Sequence, residues 1–222
     1  MSDKSFSLYE DEEYVCVPEE FFALLPTEYR EAAEARKRQG EDILRIVEKD
    51  LQDLHRLVRA IPTTSSLSYI YHRLRKTKLE PSNEWFMEQE TLTTAFIVTY
   101  ARLFAGGKGA RRLDKSVLPD HLKPIHQEII DLRNERYAHN DGHQSIGSRL
   151  QIDFDDDGFE VSVQSNLGLF IGGRDEWKEL ITFIDAYMHE QLMKVLNRLT
   201  EKTGYPWAFP EGPVPDWVGD YD

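Results

Sequence analysis

Apolar residues recur every three or four positions over most of the chain and at every second position in one short stretch, a pattern that predicts helices around a single β segment. Leu44, Val47, Leu51, Leu54, Val58 and Ile61 are spaced three, four, three, four and three, the seam of one long helix packed on others at a shallow angle. Pro62 is expected to end it, and fewer than three such repeats suit a bundle helix better than an independent coiled coil. Upstream, Pro26-Thr27 reads as a stop followed by an N-cap, and residues 28–39 as an exposed, Ala-rich helix ending at Gly40. Leu67, Ile70 and Leu74 predict a helix over 67–77 whose basic side is a solvated face. Ser82 is the expected N-cap of the next helix, which runs to about Phe104. Leu92, Phe96, Thr99 and Leu103 form one stripe there, with Trp85, Tyr100 and Phe104 beside it, as in a central bundle helix.

Beyond Pro119 and Pro124, Ile125, Ile129 and Leu132 set a helical stripe that should end near Ala138, before the turn residues Asn140-Asp141-Gly142. Alternation then takes over: Leu150, Ile152 and Phe154, then Phe159, Val161 and Val163, then Leu167, Leu169 and Ile171. This predicts a small antiparallel β meander at about 148–172. A last long amphipathic helix follows, marked by Trp177, Leu180, Ile181, Ile184, Met188, Leu192, Val195 and Leu199, and it should cover the meander or rejoin the bundle. The expected organisation is an acidic arm (1–17), a single helical-bundle domain (18–203) and a Pro/Trp-rich tail (204–222). The tail's aromatic anchors would strap onto its own domain or onto a second subunit.

Composition narrows the picture. The 222 residues are 40% hydrophobic and 30% charged, which excludes collagenous and wholly disordered chains. Lys and Arg number 27 against 40 Asp and Glu, a formal net charge of −13, so any nucleic-acid site must be a local basic patch. One such patch exists: Arg102, Lys108, Arg111, Arg112 and Lys115 face a single acid, Asp114, over residues 102–115. It is either a guide for a phosphodiester backbone or a solubilising loop. Its glycines lack the order of a phosphate-binding Walker loop. Cys16 is the only cysteine, so a multi-cysteine zinc site is excluded and a reducing, cytoplasmic setting is expected. No apolar run approaches the roughly 20 residues a membrane span needs, and the acidic start does not read as a signal peptide, so neither membrane nor export is expected.

The densest polar cluster is Asp131-Leu132-Arg133-Asn134-Glu135-Arg136-Tyr137-Ala138-His139-Asn140-Asp141 at a helix end. On a wheel of about 100° per residue, Arg136 falls in the middle of the Ile125, Ile129 and Leu132 stripe. Two readings fit. Arg136 and His139 can be C-terminal cations paired with Asp131 or Glu135. Alternatively, guanidinium forks hold a phosphate there while the His139 imidazole moves a proton. Other candidates are weaker. His139 and His143 flank Asp141 at a metal-compatible spacing, but Gly142 argues against the helix it needs. His121 and His126 read as surface or capping residues, His55, His72 and His189 stand singly, and Ser145, Ser148 and Cys16 lack a nucleophile's context. Neither a metal nor a cofactor is expected.

The segment from Leu132 to Asp141, after a long helix and a basic loop, resembles the signature of the HEPN superfamily, in which an Arg and a polar residue precede a His at a helix end. Arg133, Asn134 and His139 match it with five residues between Arg and His. The ending Ala138-His139-Asn140-Asp141 and the upstream Tyr100-Ala101-Arg102-Leu103-Phe104 are similar to stand-alone prokaryotic members linked to abortive infection and toxin systems. The resemblance covers about residues 40–142. It implies a mainly α, HEPN-like helical bundle, here with the meander before the C-terminal helix. It also implies a metal-independent endoribonuclease acting as a homodimer buried partly through the Arg133/His139 helix. In that scheme His139 transfers the proton, Arg133 stabilises the phosphorane and Asn134 orients a partner, with Arg136, Tyr137, Asn140 and Asp141 in support. RNA is the implied substrate, cleaved to a 2′,3′-cyclic phosphate, and an antitoxin or other protein is the implied partner. The superfamily also includes catalytically inactive binding and dimerisation modules. On a regular helix Arg133 and His139 would sit roughly 120° apart, so the helix must unwind or a second subunit must complete the site.

Overall fold

The structure, a computed structural model, describes residues 9–11, 14–16, 19–76, 78–105, 109–137, 146–155, 158–167 and 173–210. It is mainly helical, with α1 (Thr27–Ile46), α2 (Glu48–Val58), α3 (Ile61–Lys76), α4 (Asn83–Phe104), α5 (Lys123–Leu132) and α6 (Asp175–Thr203). A short antiparallel pair, β1 (Tyr9–Asp11) and β2 (Tyr14–Cys16), lies within the expected acidic arm. A longer antiparallel pair, β3 (Ile146–Asp155) and β4 (Gly158–Leu167), precedes α6. Among the described residues no helix is long and apolar enough to cross a membrane.

The seam expected as one helix is broken twice. Helix α1 runs through Gly40 and ends at Ile46, and Val47, fully buried, is the joint to α2. Gly40 keeps helical geometry because a glycine inside a helix costs only about 1 kcal/mol against alanine, and the surrounding Ala and charged residues favour continuation. Thr27 is the first helical residue rather than the cap, with Pro26 before it. Pro62 opens α3 instead of ending α2, since a proline in the first turn lacks an N–H that would have had no helical partner anyway. Leu44 and Ile61, at the ends of the expected seam, are 44% and 37% exposed, while Leu57, not among the seam residues, is buried.

The α4 cap is as expected: Ser82 accepts a hydrogen bond from Trp85 N at 3.1 Å. The core joins buried side chains of α2 through α6, with Phe96 stacked on Trp177 at 4.6 Å and 7° between planes. Tyr71 of α3 donates from its hydroxyl to Arg174 O at 3.1 Å and packs against Gly173. Gly173 has φ +69°, and a Cβ there would meet the Tyr71 ring at 3.1 Å, so this approach to α6 requires glycine. Helix α6 therefore rejoins the bundle.

The β segment is a two-stranded hairpin among the described residues. Leu167, expected to begin a third strand, ends β4 opposite Ile146, and Leu169 and Ile171 lie outside the described residues. At the tail, Trp207 straps onto its own α6: its Nε1 donates to Thr203 Oγ1 at 2.9 Å and its backbone N–H to Thr200 Oγ1 at 3.2 Å. Residues 211–222 lie outside the described residues.

Helices α2 and α6 are clamped by Asp50, whose buried carboxylate accepts from Arg198 Nε at 3.1 Å and Lys202 Nζ at 2.5 Å. The Lys202 hydrogen bond holds the Asp50 carboxyl below its ordinary range, against the opposing effect of burial and with further help from Arg198. Changing both Arg198 and Lys202 to Met strands that carboxylate. Urea unfolding at pH 7 is expected to show a loss of about 3 kcal/mol. Because the depressed carboxyl stabilises the fold above its unfolded pKa and ceases to do so as pH falls, the gap should close below about pH 4. An unchanged gap across that range would contradict this role.

Candidate functional site

Helix α5 does not continue as α to Ala138. After Leu132 it widens into a π-helical turn, Arg133–Tyr137. In an α-helix residues three apart are neighbours on one face, whereas the i→i+5 turn rotates less per residue and moves Arg133 and Arg136 farther apart around the axis. Arg136 goes inward. Its side chain is 1% exposed, and its Nη2 donates to both carboxylate oxygens of Glu90 on α4, at 2.9 and 3.1 Å. The sequence expectation placed its partner at Asp131 or Glu135. Asp131 instead accepts from Gln127 at 2.8 Å, and Glu135 is exposed. Glu90 prevails because it lies across the helix interface, where a guanidinium on the apolar stripe of α5 arrives.

Arg133 is exposed, and its Nη1 donates to Asn134 Oδ1 at 2.9 Å. Together they form one wall of a cleft of about 560 Å³ between α4, α5 and the segment that follows α4. The opposite wall carries Arg102, Arg112 and Lys115. That segment is held in place because Leu113 N donates to Leu103 O at 2.8 Å, and Asp114 Oδ1 accepts from Ser116 N at 2.8 Å to start a short 3₁₀ turn. The Ser116 backbone bond, aided by Arg112 and Lys115, holds the Asp114 carboxyl below its usual range. None of Arg102, Arg112, Lys115 and Arg133 has an ion-pair partner among the described residues. Four cations thus line the cleft against one acid, Asp114, on which Arg112 and Lys115 act.

Arg111, expected in the same basic patch, faces the other way. Its backbone N–H donates to Arg56 O at 3.0 Å and its Nη2 to Gln191 Oε1 at 3.2 Å, so it ties the segment to α2 and α6. Gly109 permits that course: it has φ +110°, and a Cβ there would meet the Arg59 guanidinium. Lys108, His139, Asn140 and Asp141 lie outside the described residues. Tyr137 is half-buried beside Arg136, and burial, with the charge of Glu90, raises its phenol pKa.

The chain matches no known protein family, curated protein or solved structure in comparison.

His126 is the residue that sequence reasoning missed. It is 7% exposed and lines the cleft, and its Nδ1 lies 2.7 Å from the Tyr100 hydroxyl. Burial, then the nearby charge of Lys115, pushes its pKa down. The signal was present as a second α5 face: His126, Ile130 and Arg133 follow an i, i+4, i+7 series that lines the cleft, while Ile129, Leu132 and Arg136 face the core.

The two arginines should separate cleanly in stability measurements. Glu90→Ala leaves the buried Arg136 guanidinium without its carboxylate and is expected to cost about 3 kcal/mol in urea unfolding. Arg133→Ala, on the open wall, should stay within about 0.5 kcal/mol of wild type. Equal losses in the two variants would refute the division of labour.

Proposed function

We propose that the chain is a metal-independent endoribonuclease of HEPN type, acting as a homodimer in the manner of a toxin or phage-defence effector. The observation that carries this reading is the cleft in which Arg133 stands with Arg102, Arg112 and Lys115, four cations that outnumber the one lining acid, Asp114, and form no ion pair among the described residues. A guanidinium fork matches phosphate geometry, and unpaired cations beside it favour a phosphodiester over a neutral ligand. The remaining step follows from the resemblance. His139 takes the proton of the ribose 2′-OH, the 2′ oxygen forms a bond to phosphorus, and the bond from phosphorus to the 5′ oxygen breaks. The leaving 5′ oxygen receives a proton from an imidazolium, the second subunit's His139 being the natural source. Arg133 stabilises the extra charge on the phosphorane, and Asn134 fixes the Arg133 fork. The products are a 2′,3′-cyclic phosphate and a 5′-OH.

The homodimer has support of its own in the β3/β4 hairpin. The cross-strand pairs Leu150 with Val163, Ile152 with Val161, and Phe154 with Phe159 share one face, and all six side chains are 57–74% exposed. An apolar face exposed to this degree marks a surface for association. Arg149, Asp153 and Glu160 fall on the opposite face of the hairpin, which leaves the apolar face free of charge. The same face supports a second reading, a catalytically inactive member of that fold acting by dimerisation and through a protein partner.

Total or transfer RNA incubated with the protein in EDTA should be cleaved. His139→Ala should abolish cleavage, and Arg133→Ala should slow it by roughly 10²–10³-fold. Expression of the active protein should slow growth of a host that lacks an antitoxin. RNA patterns identical with and without protein would remove the nuclease and leave the second reading. Sedimentation should show a dimer that Ile152→Lys/Val161→Lys converts to a monomer; a monomeric wild type would remove the dimer.

A further inference from the structure

We propose that the inner end of the Arg133 cleft is a nucleobase pocket, so that the site takes a nucleotide unit whose phosphate meets the cationic rim and whose base accepts a hydrogen bond from His126 Nε2. This extends the ribonuclease reading by naming how the bound unit is held, and it rests on that reading only for the source of the unit.

The lining has two chemistries. The exposed lining residues are Arg102, Arg112, Lys115 and Arg133 with a single acid, Asp114, and the more buried ones are Phe104, Leu113 and Ile130 with His126. A site for inorganic phosphate has no use for the apolar wall, and a site for an apolar molecule has no use for four cations. The volume, about 560 Å³, lies within the roughly 300–1,000 Å³ of small-ligand sites. A nucleotide presents the matching combination: a negative phosphate, a planar π face and ring or carbonyl acceptors at the edge of the base.

The direction of the hydrogen bond follows from Tyr100. Tyr100, Phe104 and His126 form one aromatic group, with the His126 ring 4.4 Å from that of Phe104 and 5.7 Å from that of Tyr100. Burial keeps the Tyr100 hydroxyl protonated and the His126 ring neutral at pH 7. Between a phenol and a neutral imidazole the phenol is the better donor, so Tyr100 O–H donates to Nδ1 across 2.7 Å. The single ring proton then resides on Nε2. Nε2 has no hydrogen-bond partner among the described residues, and the residue is 7% exposed and lines the cleft. A buried imidazole whose tautomer is set by a second buried group presents a fixed N–H donor to the cleft. Fixed donors discriminate strongly between ligands that can and cannot accept from them.

The test is calorimetric titration of the full chain with inorganic phosphate, with each of the four ribonucleoside monophosphates, and with a 2′-O-methylated RNA tetranucleotide that cannot be cleaved. At least one monophosphate is expected to bind tenfold or more tightly than phosphate. His126→Phe should bring it to within threefold of phosphate while leaving phosphate affinity unchanged. Because that substitution touches the core, the ¹⁵N signals of His126 in the unsubstituted protein supply a second readout: a protonated Nε2 before ligand, and a shift of that nitrogen on adding the nucleotide but not phosphate. A tetranucleotide that binds tenfold tighter than any monophosphate assigns the site to a strand; equal or weaker binding assigns it to a free nucleotide. Phosphate binding as tightly as every nucleotide, an unmoved Nε2 signal, or a folded His126→Phe that keeps the nucleotide preference overturns the pocket. Loss of RNA cleavage with nucleotide binding intact would sink the nuclease reading alone.

Discussion

A guanidinium cannot be buried in a helical core without a counter-charge, and the way this chain meets that demand organises the region around the cleft. Arg136 arrives on the apolar stripe of α5 with its side chain 1% exposed, and Glu90 on α4 receives it. Charge pairs of this kind contribute little net stability against an apolar alternative, but they are expensive to break and they accept one geometry. Here that geometry fixes the rotation of the turn after α5. With Arg136 committed inward, the wider π turn leaves Arg133 on the open side. Two arginines three positions apart thus do different work: one secures the wall and the other is exposed on it.

The opposite wall is secured by backbone hydrogen bonds. Leu113 N on Leu103 O and Arg111 N on Arg56 O pin the segment after α4 at two points, and the alternating side chains then diverge. Arg112 lines the cleft, while Arg111 also reaches Gln191 on α6. The net charge of −13 does not forbid an anion here. At physiological salt, exposed charges beyond about 8 Å are largely screened, so four cations around one cleft outweigh acids elsewhere on the surface. The global charge acts instead on encounter rates and on weak, non-specific binding of nucleic acid, both of which it disfavours.

Periodicity made most of the architecture legible. The α4 stripe, the Ser82 cap, the alternating β segment and the amphipathic α6 follow directly from residue spacing. Where spacing and structure differ, the reason is physical. Gly40 lies inside a helix and Pro62 in a first turn, and because both positions tolerate these residues, neither residue type alone ends a helix. The break at Val47 has no local punctuation; a buried valine at a joint looks like any other seam residue. At the site, the wheel correctly placed Arg136 among apolar residues, but its partner lies 46 positions away on another helix, beyond any local spacing rule. His126 follows Pro124 and, like His121, carries no local sign of burial, although its seven-residue offset from Arg133 puts both on one face.

The account depends on an RNA phosphodiester lying against Arg133 between α4 and α5. Photo-crosslinking of RNA carrying 4-thiouridine, with the attached peptides mapped by mass spectrometry, tests that placement directly. The account expects crosslinks concentrated in residues 98–115 and 126–137 and strongly reduced by Arg133→Glu. Crosslinks confined to other surfaces, such as the basic end of α3, or unaffected by that change, would contradict it.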